Sequence, residues 1–388
     1  MPTLLLAVRY ITRHRVQSLL LATALGLVFA LPLCLRVLVR HAQADLRARA
    51  ASTPQIVGVK GSALDLMMTA LYFKRESSPS LPLATLAEIR ATGTAQAIPL
   101  HVRFHAQESP IVGTELDYFT FRGLKLAAGR QITRLGDCVL GARVAAKRGL
   151  KPGDALFSSS EQAFDIAGIY PLKMRITGLF AETGTADDEA IFVDLKTAWL
   201  IEGRSHGHDD VAKNAQTVLK QENDGNTVAN AAVRMFQEVT DANLSTFHFH
   251  GDSGTYPVSA AIVLPADAKA EALLAGQYAR SKTSQLIRPQ DDMESLLTQL
   301  VRLEGFATTM LLTTAGAALF VAALVFALSF RLRRREFGTL ADIGVAENSL
   351  RLVKALEITL IALLASLIAA GLYFAASIAA PALLRLAL

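Results

Sequence analysis

The chain has 388 residues, enough for one large domain or two ordinary ones, and 52% of them are hydrophobic against 7% aromatic, a balance unusual for a soluble protein and suggestive of membrane spans. The net charge of +5 comes from cations clustered beside apolar runs, which speaks against nucleic acid and for the positive-inside pattern of membrane proteins. Two cysteines, Cys34 in the first apolar run and Cys138 in the central polar region, exclude a disulfide framework.

In chain order, residues 1–16 come first, within them LLLAVRYITRHR. Leu4, Leu5, Ala7, Val8 and Ile11 oppose the cations Arg9, Arg13 and Arg15, which predicts an amphipathic helix at the membrane interface. Residues 17–39 hold the first apolar run, SLLLATALGLVFALPLCLRVLV from about Ser18 to Val39. At about 1.5 Å per residue it crosses roughly 30 Å of hydrocarbon as a helix. Ala42-Gln43-Ala44 resembles a signal cleavage motif, but the apolar run is longer than a signal peptide's and Arg36 and Arg40 intervene, so an uncleaved anchor is expected. Leu31-Pro32-Leu33-Cys34 is a poor lipidation motif, because bulky Leu33 stands where a small residue is needed.

Residues 40–305 read as a large α+β domain. Strands are expected at Gln55–Val59, Ile111–Gly113, Met174–Phe180, Ala190–Val193 and Ala260–Leu264, and helices at Ala84–Thr92, Gly141–Arg148 and Ala268–Ala279. Residues 203–246, centred on Gln221-Glu222-Asn223-Asp224-Gly225-Asn226, are polar and strand-poor and read as a partly helical, mobile insertion. Apolar runs at 306–330 and 356–380 are the second and third expected spans. Gly316-Ala317-Ala318 and Ala369-Ala370-Gly371 within them suit close helix packing. Between these spans, residues 331–355 carry Arg331, Arg333, Arg334, Arg335, Arg351 and Lys354; short cationic loops stay in the cytoplasm, so residues 40–305 and the C-terminal 381–388 fall outside it. There is no repeat of long period and no G-x-x-x-x-G-K-[ST] phosphate loop, so this chain is not expected to be an enzyme and carries no catalytic residue of its own.

The segment Arg334-Arg335-Glu336-Phe337-Gly338-Thr339-Leu340-Ala341-Asp342-Ile343-Gly344 resembles the coupling motif of FtsX/MacB-type ABC transporter permeases, to which lipoprotein-releasing permeases also belong. Gly136-Asp137-Cys138-Val139-Leu140-Gly141 with Leu150-Lys151-Pro152-Gly153-Asp154, and Ile176-Thr177-Gly178-Leu179-Phe180 through Thr183-Gly184-Thr185 to Ile191-Phe192-Val193-Asp194, are similar to segments of that family's periplasmic domain. The resemblance implies a membrane protein with helical spans (three here, where the family usually has four) and a large extracytoplasmic α+β domain of MacB periplasmic type. It implies a bacterial inner-membrane location, a separate cytoplasmic ABC ATPase, and a homodimer or paired permease. It assigns ATPase coupling to Arg334, Arg335, Glu336, Phe337, Gly338, Leu340, Ile343 and Gly344. Helical spacing puts Phe337, Leu340 and Ile343 on one face, and Gly344 can end the helix in the left-handed conformation.

The histidines raise a separate question. In a strand, His248 and His250 of Phe247-His248-Phe249-His250 share a face, and two imidazoles at that spacing can grip one ion. With Asp252, and with His206, His208 and Asp209 of the second His-x-His pair, they form a candidate Zn2+ site; no other cofactor is expected. Gly251-Asp252-Ser253-Gly254 looks like a serine-protease nucleophile segment, but Thr255 stands where a second glycine is usual, and a turn after the strand is the better reading. The expected function is therefore a permease subunit that passes ATPase-driven motion to its outer domain, in a metal-linked system. The alternatives are a non-transporting regulator of an outside partner, and export of lipoproteins, lipids or peptides without metal. An extracytoplasmic binding protein and membrane lipids are further expected partners; nucleic acid is not.

Overall fold

The structure is a computed structural model and describes residues 2–74, 79–159, 171–207, 218–221, 227–229 and 237–387. It divides into two compact units: Met1–Ala48 with Met293–Leu388, and Arg49–Asp292.

The first unit is helical. Pro2–Arg13 is the amphipathic helix, and a turn at His14 separates it from Arg15–Ala51. Pro289–Leu332, Arg334–Asp342 and Glu347–Ala387 follow. Among the described residues three helices are long and apolar enough to cross a membrane: Arg15–Ala51, Pro289–Leu332 and Glu347–Pro381. Backbone groups in hydrocarbon must be satisfied within their own segment, so apolar runs of this length form helices. The helices outrun the apolar runs, the first continuing to Ala51 and the second beginning at Pro289. Leu25, Ala322 and Ala365 pack together, and a Cβ on Gly26 would lie 2.9 Å from Cγ2 of Ile368. Close packing therefore centres on Gly26 and Ala365. Gly316 and Gly371, expected to serve it, have nothing within 4 Å of where a Cβ would stand.

The second unit is built on a mixed sheet of eleven strands among the described residues. From edge to edge its main path is Gln237–Glu238, Leu172–Phe180, Asp137–Leu140, Ile191–Asp194, Ser109–Thr114, Ala95–Ala106, Ala260–Pro265, Gln55–Val59 and Ser284–Ile287. Leu126–Gly129 and Ala155–Phe157 also pair with Leu172–Phe180. Every strand and helix expected in this unit is present within a few residues. The long strand Ala95–Ala106 and the helices Ala63–Tyr72, Leu116–Arg122 and Leu195–Ile201 were not expected. The stretch 203–246 holds strands at Ser205–Gly207, Val218–Gln221, Thr227–Ala229 and Gln237–Glu238, which corrects its reading as strand-poor; its other residues from 208 to 236 lie outside the described set.

Leu195–Ile201 ties two cores together. Ala198, Leu200 and Ile201 enter one with Ile111, Met174 and Ile191; Leu195 and Trp199 enter the other with Val57, Ala261 and Val263. The helix lies so close to the sheet that a Cβ on Gly113 would be 2.4 Å from that of Ala198. Phe73, Tyr118, Phe119, Phe180 and Phe192 form a further aromatic cluster, mostly edge to face with centroids 5.0–6.4 Å apart.

Beside that cluster lies a buried charge. Arg49, in the last turn of the helix Arg15–Ala51, is 8% exposed and Asp187 3%. Arg49 Nη1 and Nη2 both donate to the Asp187 carboxylate, the latter at 3.0 Å, and Nη2 also donates to the Tyr118 hydroxyl at 3.1 Å. Tyr118 in turn donates to Asp187 Oδ1 at 2.6 Å and Thr185 Oγ1 to Oδ2 at 2.8 Å. Burial alone would push the Asp187 carboxyl up, but the Arg49 charge and the three donors together hold it below its ordinary value. Burial and the neighbouring carboxylate push the Tyr118 phenol up. Gly141 lets the Asp187 turn approach: a Cβ there would lie 2.2 Å from the Asp187 carbonyl oxygen.

Removing one partner strands the other charge in the interior, at a cost of about 3–5 kcal/mol. Asp187→Asn in the full-length chain should lower the unfolding temperature by several degrees at pH 7. A depressed carboxyl stabilises the fold above its unfolded pKa of about 4 and loses that contribution as pH falls through the folded value. The gap between wild type and variant should therefore narrow below about pH 4; a gap independent of pH would contradict this account.

Candidate functional site

The segment expected to couple to an ATPase forms the helix Arg334–Asp342. Gly344 follows at φ +93°, the left-handed residue that stops it, and its N–H donates to the Ala341 carbonyl at 2.9 Å. Phe337 is buried, Leu340 is half-buried and Ile343 is 72% exposed. The apolar stripe thus faces inward at Phe337 and is open at Ile343. Arg334, Arg335, Glu336 and Gly338 are exposed.

What fixes this helix is Arg333, the residue before it, which sequence reasoning missed. Its Nη1 donates to both oxygens of the buried Glu357 carboxylate, at 2.9 and 3.1 Å, and its Nε to Glu336 at 3.3 Å. The guanidinium carbon stands 3.3 Å from the centroid of the Tyr10 ring and 4.8 Å from that of Phe337. Lys354 Nζ lies 4.5 Å from the Phe337 centroid, and the Phe330 ring is 6.5 Å away. One guanidinium therefore joins the N-terminal amphipathic helix, the coupling helix and the start of the last long helix. The signal in the sequence was Glu357, the acid in the otherwise apolar run LEITLIALL, which needs a partner.

The histidine pairs meet in the backbone. Ser205–Gly207 runs antiparallel to Phe247–Phe249, with His206 opposite His248. The rings of His248 and His250 lie 4.5 Å apart, edge to face. Phe247 and Phe249 are half-buried against the two different cores of the sheet. His248 Nδ1 is 3.1 Å from the Thr246 carbonyl oxygen, and the Asp252 carboxylate accepts the Gly254 N–H at 2.9 Å. Asp252 thus caps the short turn Ser253–Thr255, with Gly251 at φ +81° before it. This is the turn expected for Gly-Asp-Ser-Gly. Among the described residues no group of three or more histidine, cysteine or carboxylate side chains is placed to hold a metal. Of the expected set, His248, His250 and Asp252 are described, while the His206 side chain, His208 and Asp209 lie outside the described set.

Residues 18–236 match the family of the MacB-like periplasmic core domain. The chain belongs to the MacB/FtsX-type ABC transporter permease family. Its fold is similar to the crystal structure of the periplasmic region of MacB from Actinobacillus actinomycetemcomitans, with 11% identity over 63% of this chain and 92% of that one and a TM-score of 0.35. It is also similar to the extracellular domain of the noncanonic ABC-type transporter YknZ from Gram-positive bacteria, with 13% identity over 61% and 99% of the two chains and a TM-score of 0.33. No curated protein matches it. In this permease the matched residues 18–236 thus hold a MacB-like periplasmic core domain, and they take in much of the α+β unit Arg49–Asp292.

Two expectations follow. Glu357→Gln removes the charge that holds Arg333, so the coupling helix should loosen and trypsin should cut after Arg334 and Arg335 faster than in wild type, at unchanged overall helix content. In calorimetric zinc titration of the full-length chain no micromolar site is expected; one that vanishes in His248→Ala/His250→Ala would restore the metal reading.

Proposed function

We propose that this chain is the permease subunit of an ABC transporter and transmits the motion of a separate cytoplasmic ATPase to its outer domain. In this reading Arg15–Ala51, Pro289–Leu332 and Glu347–Pro381 supply three spans of the bacterial inner membrane, and Arg49–Asp292 stands in the periplasm. The cations between the second and third spans place the coupling helix in the cytoplasm. The observation that carries the reading is the form of that helix: buried through Phe337, open at Arg334, Arg335 and Ile343, and anchored to two other helices by Arg333.

The mechanism needs no chemistry on this chain. When the ATPase changes shape on hydrolysis, it moves a helix already clamped to the N-terminal helix through Tyr10 and to the last span through Glu357. The displacement passes into the spans as a rigid-body shift rather than dissipating in a loop. Two permeases and two ATPases are the expected assembly. This reading does not depend on zinc, since among the described residues no group of three or more ligands is found.

The test is a photo-crosslinking residue at Ile343 in the intact membrane. Capture of an ABC ATPase is expected, with loss of capture when Arg334 and Arg335 are both changed to Glu. Failure to capture any ATPase from Ile343 or from Arg334 would overturn the reading. ATP-dependent movement of a substrate then separates a transporter from a regulator that only passes force.

A further inference from the structure

A groove of about 520 Å³ lies in the helical unit, between the helices Arg15–Ala51 and Glu347–Ala387. Its walls are Phe29 and Leu33 on one helix and Ala369, Ala370 and Tyr373 on the other, and Arg36 and Arg40 stand at one end. The volume lies within the range of small-ligand pockets.

The sequence spacing explains its shape. Phe29, Leu33, Arg36 and Arg40 recur at three- and four-residue intervals and so form one stripe of the helix. From Phe29 to Arg40 the helix rises about 16 Å, roughly the depth of one leaflet of a 30 Å hydrocarbon core. Ala369 and Ala370 have no bulk to fill the space opposite. The result is a slot about one leaflet deep whose apolar part, about 10 Å from Phe29 to Arg36, ends at two cations.

Those cations call for an explanation. They lie at the end of the first span opposite to Arg9, Arg13 and Arg15, on the side where the positive-inside pattern does not favour them. Both are exposed, and among the described residues neither makes an ion pair or a side-chain hydrogen bond. Two guanidiniums one turn apart match a phosphate by charge and geometry, since arginine binds phosphate with paired N–H donors. The apolar wall below them matches an acyl chain.

We propose that this groove binds an anionic phospholipid of the outer leaflet, with its phosphate at Arg36 and Arg40 and one acyl chain along Phe29, Leu33 and Ala370. The site is built from one chain and needs no second copy. It rests on the membrane-spanning reading above, but not on the ATPase.

The test uses the full-length chain in detergent and native mass spectrometry with added phosphatidylglycerol or phosphatidylcholine. Wild type should retain phosphatidylglycerol more tightly than Arg36→Gln/Arg40→Gln by about tenfold, the equivalent of one lost charge-assisted contact. Retention of phosphatidylcholine, whose choline offsets the charge of its phosphate, should fall by clearly less. Ala370→Phe keeps both charges and fills the slot, and should weaken both lipids. Inorganic phosphate should not compete at concentrations where phosphatidylglycerol saturates; competition would make this a free-anion site and overturn the proposal. Equal phosphatidylglycerol retention in wild type and both variants would also overturn it, as would a change of oligomeric state in Ala370→Phe without a change in lipid, which would assign the groove to a second copy's helix. Resistance of the wild-type chain to alkaline extraction from membranes checks the spanning reading separately. If the chain is extracted, that reading falls; if it is retained and the lipids do not discriminate, only the groove proposal falls.

Discussion

A guanidinium taken out of water must keep its carboxylate. Arg49 is the buried cation of the periplasmic unit, and much of that unit is arranged around it. A desolvated ion pair is not stabilising in itself; what it does is forbid alternatives, because either charge left alone is prohibitively placed. Asp187 can meet Arg49 because the short turn Ala186–Glu189 comes close over Gly141, and because Thr185 and Tyr118 satisfy the oxygens that Arg49 does not saturate. Tyr118 is available because its ring is already fixed among Phe73, Phe119 and Phe192. Arg49 thereby becomes part of the core of the α+β unit Arg49–Asp292.

The same design recurs at the coupling helix, with a different balance. Arg333 also lies between a buried carboxylate and a tyrosine, Glu357 and Tyr10. Here the tyrosine offers its ring face instead of its hydroxyl, and the guanidinium keeps some exposure. A π face tolerates sliding better than a hydroxyl's directed hydrogen bond, while the carboxylate keeps the pivot point fixed. One clasp is suited to holding a helix end within a rigid core. The other joins three helices at one guanidinium.

The sequence carried the elements more reliably than the junctions. Short continuous apolar runs such as Gln55–Val59 and Ala260–Pro265 were legible because strands buried on both faces read as unbroken apolar stretches. Leu195–Ile201 was not, since it is buried on nearly all sides between two cores and has no polar face to mark it as a helix. Ala95–Ala106 was hidden by Pro99, which breaks the local strand signal but stands opposite Ala261 in the ladder. The coupling helix and its left-handed stop were legible from Phe337, Leu340 and Gly344, whose requirements are local. Its anchor was not: Arg333 was one arginine among several, and only the fold brings Tyr10 and Glu357 to it.

The Phe247–Gly254 segment shows why residue type alone misleads. His-x-His and Gly-Asp-Ser-Gly suggest a metal site and a nucleophile, and both suggestions assume side chains free to act. The fold spends them first. Asp252 closes its own turn through the Gly254 N–H, His248 Nδ1 turns to the Thr246 carbonyl, and the backbone of His250 receives the Tyr256 hydroxyl at 2.7 Å. Phe247 and Phe249 are drawn against opposite cores, which fixes the histidine rings on the side left over. Their adjacency is then a consequence of strand geometry and phenylalanine burial, and needs no ion to explain it. A polar side chain's capacity must be counted after the turn and the cap have taken their share, and here one oxygen of Asp252 and one ring nitrogen of His248 are engaged locally.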